Sequence, residues 1–352
     1  MRKILPLPRP IRTGFPATST TLSILQQHKE TLPWIFNNYI QIFSASPETN
    51  VDFFDINIDN CPFLITNVLE KKFIQKCEPI LNFVIQALEY GYYVTFMINT
   101  EKLAAYEPNK GYHDPLFYGY DDDKKELYFA EYINNGAYGK SFCTFSEFND
   151  SIYLPELNSV DQDFLMEFET IKLIKYNNSW FQYKIQLDDE CRKRFDFLPQ
   201  RVKQSFEDYI YGRITTNWFT RIPYLNDKEK SCHYFGINCY DVLRLQLNAN
   251  WENGMMPSGM RQSYYVMYSH KLMQQYRIQY MQENDYLDNG KKYLETWNIL
   301  AKQMYQILLC ILKENCKGKF QTSRKRELHA YIDQIEEQER SIIIEFLEDI
   351  LI

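Results

Sequence analysis

GYYVTFMIN (Gly91–Asn99) and YHDPLFYGYDDDKKELYFAEY (Tyr112–Tyr132) are the stretches from which the rest of the chain is read. Tyr92 to Ile98 is a near-continuous apolar run, the pattern of a buried strand. His113 opens a second strand, Asp121-Asp122-Asp123-Lys124-Lys125 makes a polar turn, and LYFAEY is a third strand carrying Glu131 near its end. Antiparallel strands joined by a tight turn lay the start of one beside the end of the other, so His113 and Glu131 can meet. An imidazole beside a carboxylate is the base and orienter of a nucleophilic site. The carboxylate fixes the tautomer and stabilises the charged ring, while the other ring nitrogen exchanges the proton. Asn134 is the alternative orienter.

Outward from this core, Glu78 to Tyr90 reads as an amphipathic helix, with Ile80, Leu81, Val84, Ile85 and Leu88 on one face and Gly91 as its terminator. Residues 1–13 are a proline-rich, extended lead-in. From Pro16, ATSTTLSIL has the Ser/Thr-rich start of a short helix that should end before Pro33. Val51 to Ile58 alternates as a strand, and Phe142 to Phe148 is a further short element. The character of the chain shifts around Tyr153 to Asp163, which puts the boundary between a catalytic core, 1–155, and a second domain, 156–352. That second part is mostly helical, with helical periodicity over 201–213, 240–248, 261–284, 293–315 and 327–351.

Composition narrows the function classes. The chain has 352 residues, 45% of them hydrophobic, and a net charge of −7. It can bury a large core, and no sustained basic face exists to bind nucleic acid. The eight cysteines form no CxxC pair and no zinc-finger spacing, and no run of 18 apolar residues occurs. A reduced, cytoplasmic protein without a membrane segment is expected. No P-loop, Rossmann glycine pattern, HExxH or GxSxG appears, so no cofactor and no metal is expected. The triple aspartate lacks the spaced ligands of a calcium loop and reads as a hairpin turn.

A nucleophile for His113 is not evident where the chemistry would put one. A thiolate is best stabilised at a helix start, and GFPATSTTLSIL is the upstream helix start with suitable surroundings, but it holds no cysteine. Cys61 in DNCPF is the alternative, because Pro62 could open a helix. Ser19 or Thr18 could serve as an oxygen nucleophile. Tyr112, Tyr132 and Trp34 are candidate contacts for an elongated substrate, with core packing the competing role for Trp34.

The block from Glu78 to Phe148 resembles the papain-like cores of peptidase C39-like proteins, in particular the butirosin-protein-H N-terminal type of nonribosomal biosynthesis clusters. FGINCYDVLRLQL (235–247) and RQSYYVMYSHKLMQQYRIQYMQEN (261–284) resemble two helices that follow that core, although Ser269 stands where the pattern has glutamate. The resemblance implies an α+β fold with a papain-like core and a helical domain covering its cleft. It places the nucleophile at position 17, five residues before Leu22, where this chain has alanine. Three explanations stand side by side: a cysteine replaced to trap substrate, a natural pseudo-enzyme, or a site whose nucleophile lies elsewhere. The activity implied is amide formation, as in enzymes of the closthioamide-assembly type. An acyl group passes from a carrier-protein thioester through a cysteine acyl-enzyme to a small amine or diamine. A cysteine peptidase or amidase and a catalytically silent binding module are the alternatives.

Overall fold

A computed structural model describes residues 1–13, 16–54, 61–106, 111–133, 137–152, 167–173, 193, 195–215, 233–249, 256–257, 259–318 and 321–351. It is a mixed α+β protein that divides into two compact units. The first comprises Met1–Leu32 and Ile58–Arg194, the second Pro33–Asn57 and Phe195–Ile352. The expected single boundary near residue 155 is therefore corrected in two respects. Strand Glu167–Leu173 lies beyond it yet pairs with Tyr93–Phe96 and Leu64–Glu70 of the first unit. Residues 33–57 lie before it yet belong to the second unit, because Ile42–Ser44 pairs with Tyr234–Phe235.

The first unit is built on a seven-stranded sheet. Its strands are β1 (Arg2–Ile4), β4 (Leu64–Glu70), β5 (Tyr93–Phe96), β8 (Leu116–Asp121), β9 (Glu126–Ile133), β10 (Ala137–Thr144) and β11 (Glu167–Leu173). The order is β10-β9-β8-β5-β11-β4, with β1 pairing β8, and every pairing is antiparallel. The polar turn forms as expected. Asp121 Oδ1 accepts the backbone N–H groups of Asp123 and Lys124, and Lys125 takes a left-handed φ of 57°. A side ribbon pairs β6 (Ile98–Asn99) with β7 (Tyr112–His113).

Helices α1 (Pro16–Leu25), α3 (Lys71–Cys77), α4 (Ile80–Glu89) and α5 (Phe145–Ser151) complete this unit. In α4, Ile80, Val84 and Leu88 recur every four residues and are buried. Gly91, at φ +85°, ends the helix while the Tyr92 N–H reaches back to the Ala87 carbonyl.

The pleat decides which helix lies on which face, since side chains three apart on a strand point to opposite sides. Helix α1 reaches Tyr132 through Ser19, and Gln27, two residues past its end, reaches Tyr93. Helix α5 packs Phe148 against Phe96 and Phe117, and Phe117 in turn meets Phe129. Tyr93 to Phe96 and Phe129 to Tyr132 are both steps of three, so α1 and α5 cover opposite faces.

The second unit holds α2 (Leu32–Asn37), α6 (Pro199–Ile210), α7 (Cys239–Asn248), α8 (Met260–Glu283), α9 (Gly290–Cys316) and α10 (Thr322–Asp349). A small sheet of β12 (Tyr234–Phe235), β2 (Ile42–Ser44) and β3 (Asp52–Phe53) accompanies them. Helix α1 ends at Leu25, ahead of Pro33 as expected, and Pro33 does not bar the helix that follows. It sits in the first turn of α2, where its missing N–H costs nothing. Trp34 is 2% exposed and packs edge-on against Tyr39 in this unit, so its expected contact with substrate gives way to core packing. The expected strand at 51–58 is described only at Asp52–Phe53; its residues from 55 onward lie outside the described part.

Helix α8 buries 13 of its 24 residues, and among them His270, Lys271, Gln274 and Arg277 are fully enclosed. Each finds a partner. Arg277 donates from Nε to the Phe36 carbonyl at 2.8 Å and from Nη2 to the carbonyls of Asn38 and Tyr39. These bonds tie the 33–57 segment to the helices. Arg277→Lys keeps the charge but loses the fork, so it should cost about 2–3 kcal/mol, the scale of a charged hydrogen bond. Urea denaturation checks this, with faster amide exchange at 36–40 as its local signature.

Candidate functional site

Register brings the sequence-selected pair together. Leu116 pairs with Ala130, so continuing the ladder by one residue sets Pro115 opposite Glu131, and His113 lies two residues earlier. Asp114 and Pro115 mark the point where the chain leaves β6 and joins β5. Proline holds Asp114 in extended backbone, and Thr95 Oγ1 donates to the Asp114 carbonyl at 3.0 Å. Below His113 a clasp closes the loop. Thr100 N–H and Oγ1–H both donate to the Gly111 carbonyl, and Gly111 N–H donates back to Thr100 Oγ1.

In this frame His113 Nδ1 lies 3.5 Å from Glu131 Oε2, with the imidazole side chain 34% exposed and the carboxylate side chain 2%. Tyr106 is a third member that sequence reasoning passed over. It is fully buried in the turn Ala104–Tyr106, its ring centroid 5.4 Å from that of His113 and stacked on Phe129 at 5.7 Å. Its hydroxyl faces Glu131 outside ideal hydrogen-bond geometry. Among the described residues, neither Glu131 oxygen has a well-formed hydrogen bond. Asp114 is a fourth member, adjacent to the histidine. Its position beside His113 was the available signal, whereas AAY in a loop gives none for Tyr106.

Burial opposes charge throughout this cluster. It raises the Glu131 carboxyl, against the backbone N–H of Tyr132 and the Tyr106 hydroxyl. It raises Asp114 to about 6, with the Glu131 charge adding to the effect. It lowers His113, opposed by the Asp114 carboxylate. The imidazole therefore rests neutral at pH 7, able to accept a proton on Nε2 across the ring from Glu131.

The other expected site residues divide sharply. Tyr112, beside His113 on β7, is 38% exposed and stands at the rim of the cluster. Tyr132 lies one residue from Glu131 and so points to the opposite face, where its hydroxyl is 2.6 Å from Ser19 Oγ. Ser23 holds α1 further along, donating to the Ser19 carbonyl and meeting the Tyr138 hydroxyl at 3.1 Å. Thus α1 approaches β9 from the tyrosine face, while His113 pairs with Glu131. Ala17 is the second residue of α1, and its side chain lies outside the described part, as does Asn134.

Cys61 is corrected as the alternative nucleophile. It precedes a strand rather than opening a helix, is 3% exposed, and burial pushes its thiol far up. Burial does the same to Cys143 and Cys239.

Among the described residues no group of three or more His, Cys, Asp and Glu could hold a metal ion, and no helix is long and apolar enough to cross a membrane. No protein-family model matches this chain, and no curated protein matches it with significance.

Proposed function

We propose that the first unit carries an acyl-transfer site in which His113, oriented by Glu131, is the general base for an amine attacking a thioester on a carrier protein. The His113–Glu131 pair carries this reading: a half-buried neutral imidazole has its Nδ1 3.5 Å from a buried carboxylate oxygen, which leaves Nε2 as the nitrogen to take a proton. The amine nitrogen bonds to the thioester carbonyl carbon, its proton passes to His113 Nε2, and the C–S bond breaks. The leaving thiolate then takes the proton back. No electron changes hands.

Alanine at position 17 closes the cysteine acyl-enzyme route for the chain as it stands, so the attack is direct. The papain-like core that the motifs imply belongs to the same proposal. Its covalent form requires a thiol at 17 to reach the face on which His113 lies.

Intact-mass analysis tests both forms. The chain is incubated with acylated carrier protein and candidate amines, alongside the variant Ala17→Cys. Amide from the parent chain supports direct transfer. An adduct on Ala17→Cys that amine converts to amide supports the covalent route. Free acid alone, indifferent to amine, assigns the site to a hydrolase. No product and no adduct from either protein overturns catalysis and leaves a binding module.

A further inference from the structure

The cluster around His113 contains a residue that neither the motif nor the proposed reaction uses. Tyr106 is fully buried, and its ring bridges His113 on one side and Phe129 on the other. Phe129 and Glu131 are two apart on β9 and share a face, so the ring that stacks on Phe129 turns its hydroxyl toward the Glu131 carboxylate, both polar groups being buried and neither making a well-formed hydrogen bond among the described residues. A buried phenol is seldom left without an acceptor, and a buried carboxylate is seldom left without donors.

The turn bearing Tyr106 is fastened at both ends. Ala104 N–H donates to Glu147 Oε1 at 3.3 Å, and Glu147 is itself committed to the capping box of α5. At the other end the Thr100–Gly111 clasp joins the same loop to the strand that carries His113.

We propose that Tyr106 is a positioning residue for the His113–Glu131 pair: its ring backs the imidazole and its hydroxyl holds the carboxylate that orients it. The proposal takes its catalytic meaning from the acyl-transfer reading, but its geometry does not depend on which reaction occurs. The charged and titratable groups around Tyr106 are Glu131, Asp114 and Cys143, with His113 against its ring.

The two functions of the side chain predict opposite effects on His113. Tyr106→Phe keeps the ring and removes the donor. The Glu131 carboxylate is then less stabilised and takes a proton more readily, so the histidine sees less negative charge and its titration midpoint falls. One ordinary hydrogen bond is worth about 0.5 to 1 pH unit on the carboxyl that accepts it, so the fall in His113 should be at most about that. Tyr106→Ala also removes the ring, and because burial is the largest cause of the low His113 value, hydration raises the midpoint instead.

The experiment is an NMR titration of the imidazole Cε1 resonances in the full chain. The His113 signal, one of five, is assigned by its loss in His113→Gln. Tyr106→Phe should lower the midpoint in the parent and leave it unmoved in a Glu131→Gln background, since the hydroxyl acts through that carboxylate. An unmoved midpoint in Tyr106→Phe at unchanged thermal stability reduces Tyr106 to packing and overturns the proposal. So does an equal fall in the Glu131→Gln background. Tyr106→Leu replaces Tyr106→Ala should the latter not fold. A shift in Tyr106→Phe together with a parent chain that makes no amide would uphold the positioning role and sink the acyl-transfer reading. The two can therefore fail separately.

Discussion

Glu339→Ala should cost the second unit about 3–5 kcal/mol, because it leaves the Lys271 ammonium buried without its counter-charge. Both residues are fully buried, and Lys271 Nζ lies 2.7 Å from each oxygen of Glu339. The hydroxyls of Tyr209 and Tyr240 donate to the same two oxygens at 3.0 and 2.5 Å. The Tyr209 ring stacks on His270 at 4.9 Å, so four helices converge on one carboxylate. A loss of that size is a large share of the about 5–15 kcal/mol that a domain commands. Urea denaturation followed by tryptophan fluorescence measures it, since Trp297 packs into this cluster.

The sign of its pH dependence follows from Lys271. Burial lowers its folded-state pKa, and Glu339 opposes that lowering. Removing Glu339 drops the folded value further below the unfolded one, about 10.4. Between those two values the unfolded chain binds more protons, so the stability of the variant rises with pH through that window. The deficit should be greatest near neutrality and shrink toward pH 10. Lys271→Met with Glu339→Gln should recover part of it, because no buried charge is then left unpaired. A single variant within about 1 kcal/mol of the parent would refute the account of a desolvated pair.

Helix α10 also shows how far the sequence was legible. Leu328, Ile332, Ile335, Ile342 and Phe346 mark an apolar seam, and Glu339 occupies a position within it. A charge in such a seam points to a buried partner, but not to Lys271, 68 residues away. The same holds for the β-sheet core. The β8–β9 hairpin and α4 are local structures, written in alternation, turn residues and four-residue spacing, and they formed as expected. His113 and Glu131 were legible because the hairpin register alone joins them. Residues 33–57 were assigned to the wrong unit because their partners, Tyr234 and the carbonyl-binding Arg277, lie roughly two hundred residues downstream. Local periodicity carries no information about such pairings. Tyr106 was missed for a related reason: its significance arises from a loop closure between Thr100 and Gly111 that no spacing rule announces.

His113→Gln should lower the rate of amide formation by about 10²–10⁴, the usual contribution of a positioned general base. The pH profile separates this from a loss of structure. A base acts in its neutral form, so the rate should rise with pH through the His113 titration and level off above it. Burial lowers that titration below the ordinary histidine value, which puts the rising limb on the acid side of 6.5. Asp114 titrates at about 6, so the limb belongs to the coupled cluster rather than to one residue. Asp114→Asn removes the charge that raises His113, and the limb should move to lower pH with the plateau little changed. Glu131→Gln keeps the side-chain shape but surrenders control of the tautomer, so the plateau itself should fall. His113→Gln should show no limb at all. A plateau preserved in His113→Gln would mean that the imidazole takes no proton from the amine, and the base would have to be sought among the two carboxyl groups, Asp114 and Glu131, which burial makes more basic than free carboxylates.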